Sequence, residues 1–152
     1  MKKFLSVLAS LLLVCGPAAA ETAWVMCDGY VNIRDMPGKK SQAVGFLDPG
    51  DSFETDGIIK NGFVQAQIGE GGENWIFAGY VTNEKPERVD ERYVCTAKRR
   101  VACRRWIDGP QIRGKVGWLY NGTNVRVYWR TGEWSVTSRG YVRSEWLEAD
   151  PE

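Results

Sequence analysis

An all-β fold, two small β-barrels in tandem behind an N-terminal leader, is what this sequence predicts. Three observations predict it. Apolar and polar residues alternate through the chain beyond residue 20, as in Val125-Arg126-Val127-Tyr128-Trp129 and Trp134-Ser135-Val136-Thr137. Alternation rich in β-branched and aromatic residues marks half-buried strands. Breaks containing Gly, Pro, Asn or Asp recur about every 8–12 residues, the spacing of a sandwich or barrel. Finally, the chain repeats itself, as sequences built from stacked or tandem units do.

The leader comes first. Lys2 and Lys3 precede an apolar run from Phe4 to Val14, Gly16-Pro17 end it, and Ala18-Ala19-Ala20 follow. Basic, apolar and small residues in that order read as a secretory signal peptide over 1–20, cleaved after Ala20. The run is short of the roughly 20 residues a membrane span needs, so the mature chain is expected to be exported without a span, to the medium or the periplasm. Cys15 offers a lipidation alternative, but Val14 stands where that pattern carries a small residue.

The first unit is expected over 21–83. Val31-Asn32-Ile33-Arg34 sends Val31 and Ile33 to one face and Asn32 and Arg34 to the other. Pro37-Gly38 opens a polar loop, since Pro pre-sets φ and Gly relaxes the turn. Gly45-Phe46-Leu47 restarts a strand, Asp48-Pro49-Gly50-Asp51 turns it, and Ser52-Phe53-Glu54-Thr55 leaves. Asn61-Gly62 is a strong hairpin signal leading into Phe63. Trp75-Ile76 closes the unit through a tight segment ending at Tyr80-Val81. Five or so short strands in about 60 residues bury a core only by curling closed, and a unit that small is marginal alone.

A linker is expected at 84–91, where Pro86 and charged residues replace the apolar pattern. The second unit, 92–148, repeats the first, with 149–152 as a tail. Val101-Ala102-Cys103-Arg104 answers Val31 to Arg34, and Gly117-Trp118-Leu119-Tyr120-Asn121-Gly122-Thr123 answers Gly45 to Asp51. Gly132-Glu133-Trp134 answers Asn61-Gly62-Phe63, and Tyr141 to Leu147 answers Trp75 to Val81. Asn121-Gly122-Thr123 also fits a glycosylation sequon, but the repeat explains it as a turn.

The run from Val31-Asn32-Ile33-Arg34-Asp35-Met36-Pro37 through Gly45-Phe46-Leu47 and Pro49-Gly50-Asp51 to Trp75-Ile76 and Tyr80-Val81 resembles the bacterial SH3-like (SH3b-type) domain. The resemblance covers nearly all of residues 24–83. The second unit resembles it less well: Arg105-Trp106-Ile107-Asp108 replaces the small residue and Pro after Arg104. The resemblance implies an SH3-like barrel and binding of peptidoglycan or other envelope material. The eukaryotic signature for proline-rich peptides, an acidic loop with paired Tyr and a Trp-Trp pair, is missing.

Composition narrows the chemistry. The sequence has no His, which removes the usual Ser-His and Cys-His nucleophiles. Cys27, Cys95 and Cys103 show no Cys-x-x-Cys spacing for structural zinc, and no Gly-rich phosphate loop links a strand to a helix. Glu70 and Glu73 could in form act as a glycosidase pair, but a solvated loop at Gly69 to Glu73 accounts for them. The expectation is a non-enzymatic monomer with no metal or cofactor. Residues 21–88 carry 11 acidic and 6 basic side chains, and residues 89–152 carry 8 and 12. The mature net charge is then −1, which argues against nucleic acid. A basic second half suits either mutual attraction of the halves or an anionic partner.

Cys103 stands at the place of Ile33, and Cys27 is read at the place of Cys95. A Cys95–Cys103 disulfide across a hairpin-like turn, three separate small fillers, and a bridge between units all stay open. Two groups could bind a ligand. In the first unit Tyr30, Asn32, Arg34, Trp75 and Tyr80 could line a groove beside the first loop, aromatic faces stacking and Asn and Arg orienting. Trp75 and Tyr80 read equally as core, and Arg34 as a brace for its loop. In the second unit Arg104, Arg105 and Trp106, near Lys98-Arg99-Arg100, suit an anionic or carbohydrate surface. The partner is expected to be cell-wall glycan or peptide, or another exported protein.

Overall fold

The computed structural model describes residues 20–69 and 71–151. The leader expected over 1–20, with Cys15, lies outside them except for Ala20, and so do Glu70 and Glu152. The chain is all-β. Its first half forms β1 (Glu21–Val25), β2 (Val31–Arg34), β3 (Ala43–Leu47), β4 (Ser52–Thr55), β5 (Ile59–Lys60), β6 (Phe63–Ala66), β7 (Asn74–Phe77) and β8 (Val81–Thr82). Its second half forms β9 (Glu87–Cys95), β10 (Arg100–Ala102), β11 (Trp118–Tyr120), β12 (Asn124–Arg130), β13 (Trp134–Thr137), β14 (Gly140–Arg143) and β15 (Leu147–Ala149). Short 3-10 turns at Ala78–Tyr80, Lys115–Gly117 and Ser144–Trp146 are the helical pieces of the described chain.

Every strand pairing is antiparallel and stays within its half. The sheets run β4-β1-β8 and β3-β2-β7-β6-β5 in the first half, and β14-β13-β12-β9-β15 with the β10-β11 pair in the second. The Asn61-Gly62 turn between β5 and β6 has φ of 52° and 80°, the left-handed pair that a type I′ hairpin needs. Inward residues close a core in each half. Val25, Val31, Ile33, Phe53, Val64 and Ile76 belong to the first, and Cys95, Cys103, Leu119, Val125, Val127 and Val142 to the second.

The repeat holds at the level of single hydrogen bonds. Val25 N–H donates to Asp51 O and Cys95 N–H to Thr123 O, both at 2.9 Å. Gly50 N–H returns to Val25 O as Gly122 N–H returns to Cys95 O, both at 2.8 Å. Met26 N–H reaches Tyr80 O as Thr96 N–H reaches Trp146 O. Val31 faces Leu47 in one ladder and Val101 faces Leu119 in the other.

Two expectations are corrected by this register. Val25, not Cys27, stands at the place of Cys95; in both halves that position comes six positions before the Val of the Arg strand. The linker read over 84–91 is mostly strand. β9 already begins at Glu87, because Glu87 and Arg88 pair with Arg130 and Trp129 of β12.

Among the described residues Cys27, Cys95 and Cys103 are free thiols, all buried. The Cys95–Cys103 bridge is not formed. β9 and β10 are not hairpin partners but belong to different sheets, and the Cys95 sulfur lies 3.6 Å from the Leu119 carbonyl oxygen. Both thiols act as small apolar fillers of one core.

A third apolar cluster joins the halves. Met26, Trp134, Val136 and Tyr141 are buried together, with Tyr80, Trp106, Ile107 and Trp129 packed on them. The Tyr141 hydroxyl donates to Met26 O at 2.7 Å, and the Tyr141 ring stacks on Tyr80 with centroids 6.2 Å apart. Ile107 N–H donates to Gly79 O at 3.0 Å. At Gly50, φ is +87° and a Cβ would fall 2.7 Å from the Trp129 ring, so the turn between β3 and β4 needs glycine for both its backbone and its neighbour.

Candidate functional site

In a strand, alternate residues face opposite sides of the sheet. Ile33, Val64 and Ile76 enter the first core, so Asn32, Phe63 and Phe77 line the outer face of β2, β6 and β7. A cleft of about 660 Å³ opens there, lined mainly by Tyr30, Asn32, Arg34, Phe63, Phe77, Tyr80 and Trp106. The first loop adds Gly38 and Lys39, and the β5–β6 turn adds Asn61.

Aromatic edges build the floor. Phe77 meets Phe63 at 5.7 Å, Tyr80 at 5.1 Å and Trp106 at 5.0 Å, each nearly perpendicular. Trp106 comes from the second half, on the loop after Arg104, and seats against Gly79. A Cβ at Gly79 would come within 2.5 Å of both Trp106 and Phe77, so the wall exists because position 79 is bare. Tyr30, 63% exposed, stands at the rim with Phe46 edge-on at 5.7 Å.

The polar groups are held by backbone. Arg34 Nη1 donates to Ser41 O at 2.6 Å, which pins the first loop and turns the guanidinium along the cleft wall. Asn61 Nδ2 donates to Pro37 O at 3.1 Å, tying the hairpin to the same loop. Asn32 makes no side-chain hydrogen bond to the described residues, which leaves its amide free to orient a ligand.

Five of the eight residues singled out in the sequence therefore meet in one cleft: Tyr30, Asn32, Arg34, Tyr80 and Trp106. Arg105 faces a smaller hollow of about 280 Å³ that shares Tyr30 and Tyr80. Burial pushes the Cys27 thiol beside that hollow up to about 11, with Asp28 and Asp48 adding to it. Burial also raises the Tyr80 phenol. Both groups stay neutral and can only donate or accept hydrogen bonds.

Trp75 lies outside the cleft. It sits two residues from Phe77 on the same face, between Gln65 and Arg34 in the ladder, with the Lys60 ammonium 5.8 Å above its ring. Arg104 also lies outside; its Nη1 donates to Gly109 O at 3.0 Å, bracing its own loop as Arg34 does. Glu73 precedes β7 in the loop closed by Asn74 Nδ2 on Ile68 O and is not part of the cleft; Glu70 is outside the described residues. Phe63, Phe77 and Asn61 were not singled out. Their signal was present, because the period-2 pattern that buries Val64 and Ile76 sends both phenylalanines to the outer face.

Among the described residues no helix is long and apolar enough to cross a membrane. No protein-family model matches the chain, and no curated protein matches it. Among solved structures it is similar to NlpC2 and NlpC1 of Trichomonas vaginalis, each at 12% identity and a TM-score of 0.37 over 89% of this chain. The chain spans 50% and 48% of the length of those two proteins.

Proposed function

We propose that this protein is an exported, non-catalytic binding protein that recognises cell-wall material, peptidoglycan above all, through the cleft between Tyr30 and Trp106. Each half is read as an SH3-like barrel, the first close to the bacterial type and the second divergent. The observation that carries the reading is the meeting of Tyr30, Asn32, Arg34, Tyr80 and Trp106 in one aromatic cleft. Aromatic faces stack on sugar rings or peptide backbone, while a free amide and a guanidinium fix orientation at small entropic cost. The signal-peptide pattern supports export.

The test is retention of the purified protein on insoluble peptidoglycan at low and at moderate salt. Retention at both is expected, lowered by Asn32→Ala and by Trp106→Ala with the fold intact. Retention at low salt alone would reduce the binding to charge attraction, which salt screens. No retention at either would overturn wall binding.

A second reading is favoured by one observation. β3 is an edge strand whose Val44 and Phe46 are exposed, and an unpaired apolar edge is a docking strip for another protein. Cross-linking in the native envelope would capture that partner, and Val44→Lys, on the same exposed edge but away from the Tyr30 rim, would abolish the capture without touching wall retention.

A further inference from the structure

The repeat carries the cleft with it, and the second copy has changed chemistry. Arg104, Trp134, Arg143 and Trp146 stand at the positions of Arg34, Phe63, Phe77 and Tyr80. With Asp108 they line a second cleft of about 420 Å³ on the second half. Where Phe77 meets Phe63 edge-on, the Arg143 guanidinium lies 4.7 Å over the Trp134 ring. An apolar floor has become a cationic one.

Two further features point to an anion. Arg104 brings a second guanidinium to the wall. The side chain nearest to pairing with Arg143 is the exposed carboxylate of Asp108, at 3.9 Å. That is too long for a hydrogen bond, and at such exposure the pair is weak. Trp146, in the place of Tyr80, keeps 37% of its surface open as a flat apolar face.

We propose that this second cleft binds a small ligand bearing a carboxylate. Arg143, held over the Trp134 ring, pairs with the carboxylate, Arg104 adds a second positive charge on the wall, and Trp146 takes the apolar or ring face beside it. Asp108 competes for Arg143 from within the molecule and holds the affinity down. The site depends on the repeat and not on what the first cleft binds.

The test is calorimetry on the purified protein with three probes: N-acetylmuramic acid, neutral N-acetylglucosamine and the dipeptide D-alanyl-D-alanine. At least one carboxylate probe binds and the neutral sugar does not. The sugar acid alone identifies a saccharide carboxylate as the ligand, and the dipeptide alone a peptide carboxylate. Arg143→Phe, which installs the first half's residue, weakens that binding by about tenfold or more. Asp108→Asn tightens it, an effect a purely structural Asp108 would not produce, and it keeps the test open if Arg143→Phe folds poorly. Asn32→Ala leaves it unchanged while lowering wall retention, so the two clefts fail separately. Binding of neither carboxylate probe overturns the proposal, as does binding unchanged in both Arg143→Phe and Asp108→Asn.

Discussion

At the scale of the residue, Tyr141 does most to join the halves. Its ring stacks on Tyr80 and its hydroxyl satisfies the carbonyl of Met26, which is fully buried. Tyr141→Phe keeps the ring and strands that carbonyl. Removing one partner of a buried hydrogen bond costs about 1–3 kcal/mol, and urea unfolding should read a loss in that range. Burial also raises the Tyr141 phenol well above its ordinary 10.0, in the same direction as the Cys27 thiol, which moves from 9.0 to about 11. Below pH 9.0 Cys27 is protonated in both the folded and the unfolded chain, and the fold has its full stability. Above that value the unfolded chain releases the thiol proton first, so stability falls as pH rises toward 11. Unfolding midpoints compared at about pH 8 and about pH 10.5 should show this alkaline loss, and Cys27→Ala should reduce it.

At the scale of the element, the 3-10 turn Ala78–Tyr80 closes the first half and shapes the cleft at once. Gly79 leaves room for Trp106 to lie against Phe77. Gly79→Ala puts a Cβ into both rings and should push Trp106 outward, at about 1–3 kcal/mol of overpacking. The tryptophan emission should shift to the red, and wall retention should fall with it. The elements themselves were largely legible in the sequence. Val31 to Arg34, Ser52 to Thr55 and Trp134 to Thr137 alternate cleanly, and Asn61-Gly62 names its own turn. β9 was less legible. Glu87 to Asp90 is charged and reads as linker, yet it pairs with Arg130 and Trp129 because the long β12 continues past its bulge and offers backbone partners there.

At the scale of the whole molecule, the cluster around Met26, Trp134, Val136 and Tyr141 decides the behaviour. Met26 is 0% exposed, and Met26→Ala should cost about 2–5 kcal/mol, the range for emptying a packed apolar site. Because this cluster belongs to both halves, far-ultraviolet circular dichroism and tryptophan fluorescence should report one coincident unfolding transition. Two separated transitions would mean that each half stands alone.

Most of the strands, the Asn61-Gly62 hairpin turn, the internal repeat and the inward side of Val31, Ile33 and Cys103 followed from residue order alone. Each depends on interactions between residues two to a few positions apart, and those interactions leave a period or a turn signal. The meeting of Trp106 with Phe77, the seating of Trp129 on Gly50 and the separation of Cys95 from a hairpin partner came only with the tertiary structure. They depend on how one sheet faces another, which is set by side-chain packing between residues far apart in sequence. For the same reason the candidates Arg104, Arg105 and Trp106, adjacent in sequence, open onto three different hollows. Tyr30 and Trp106, 76 positions apart, line one.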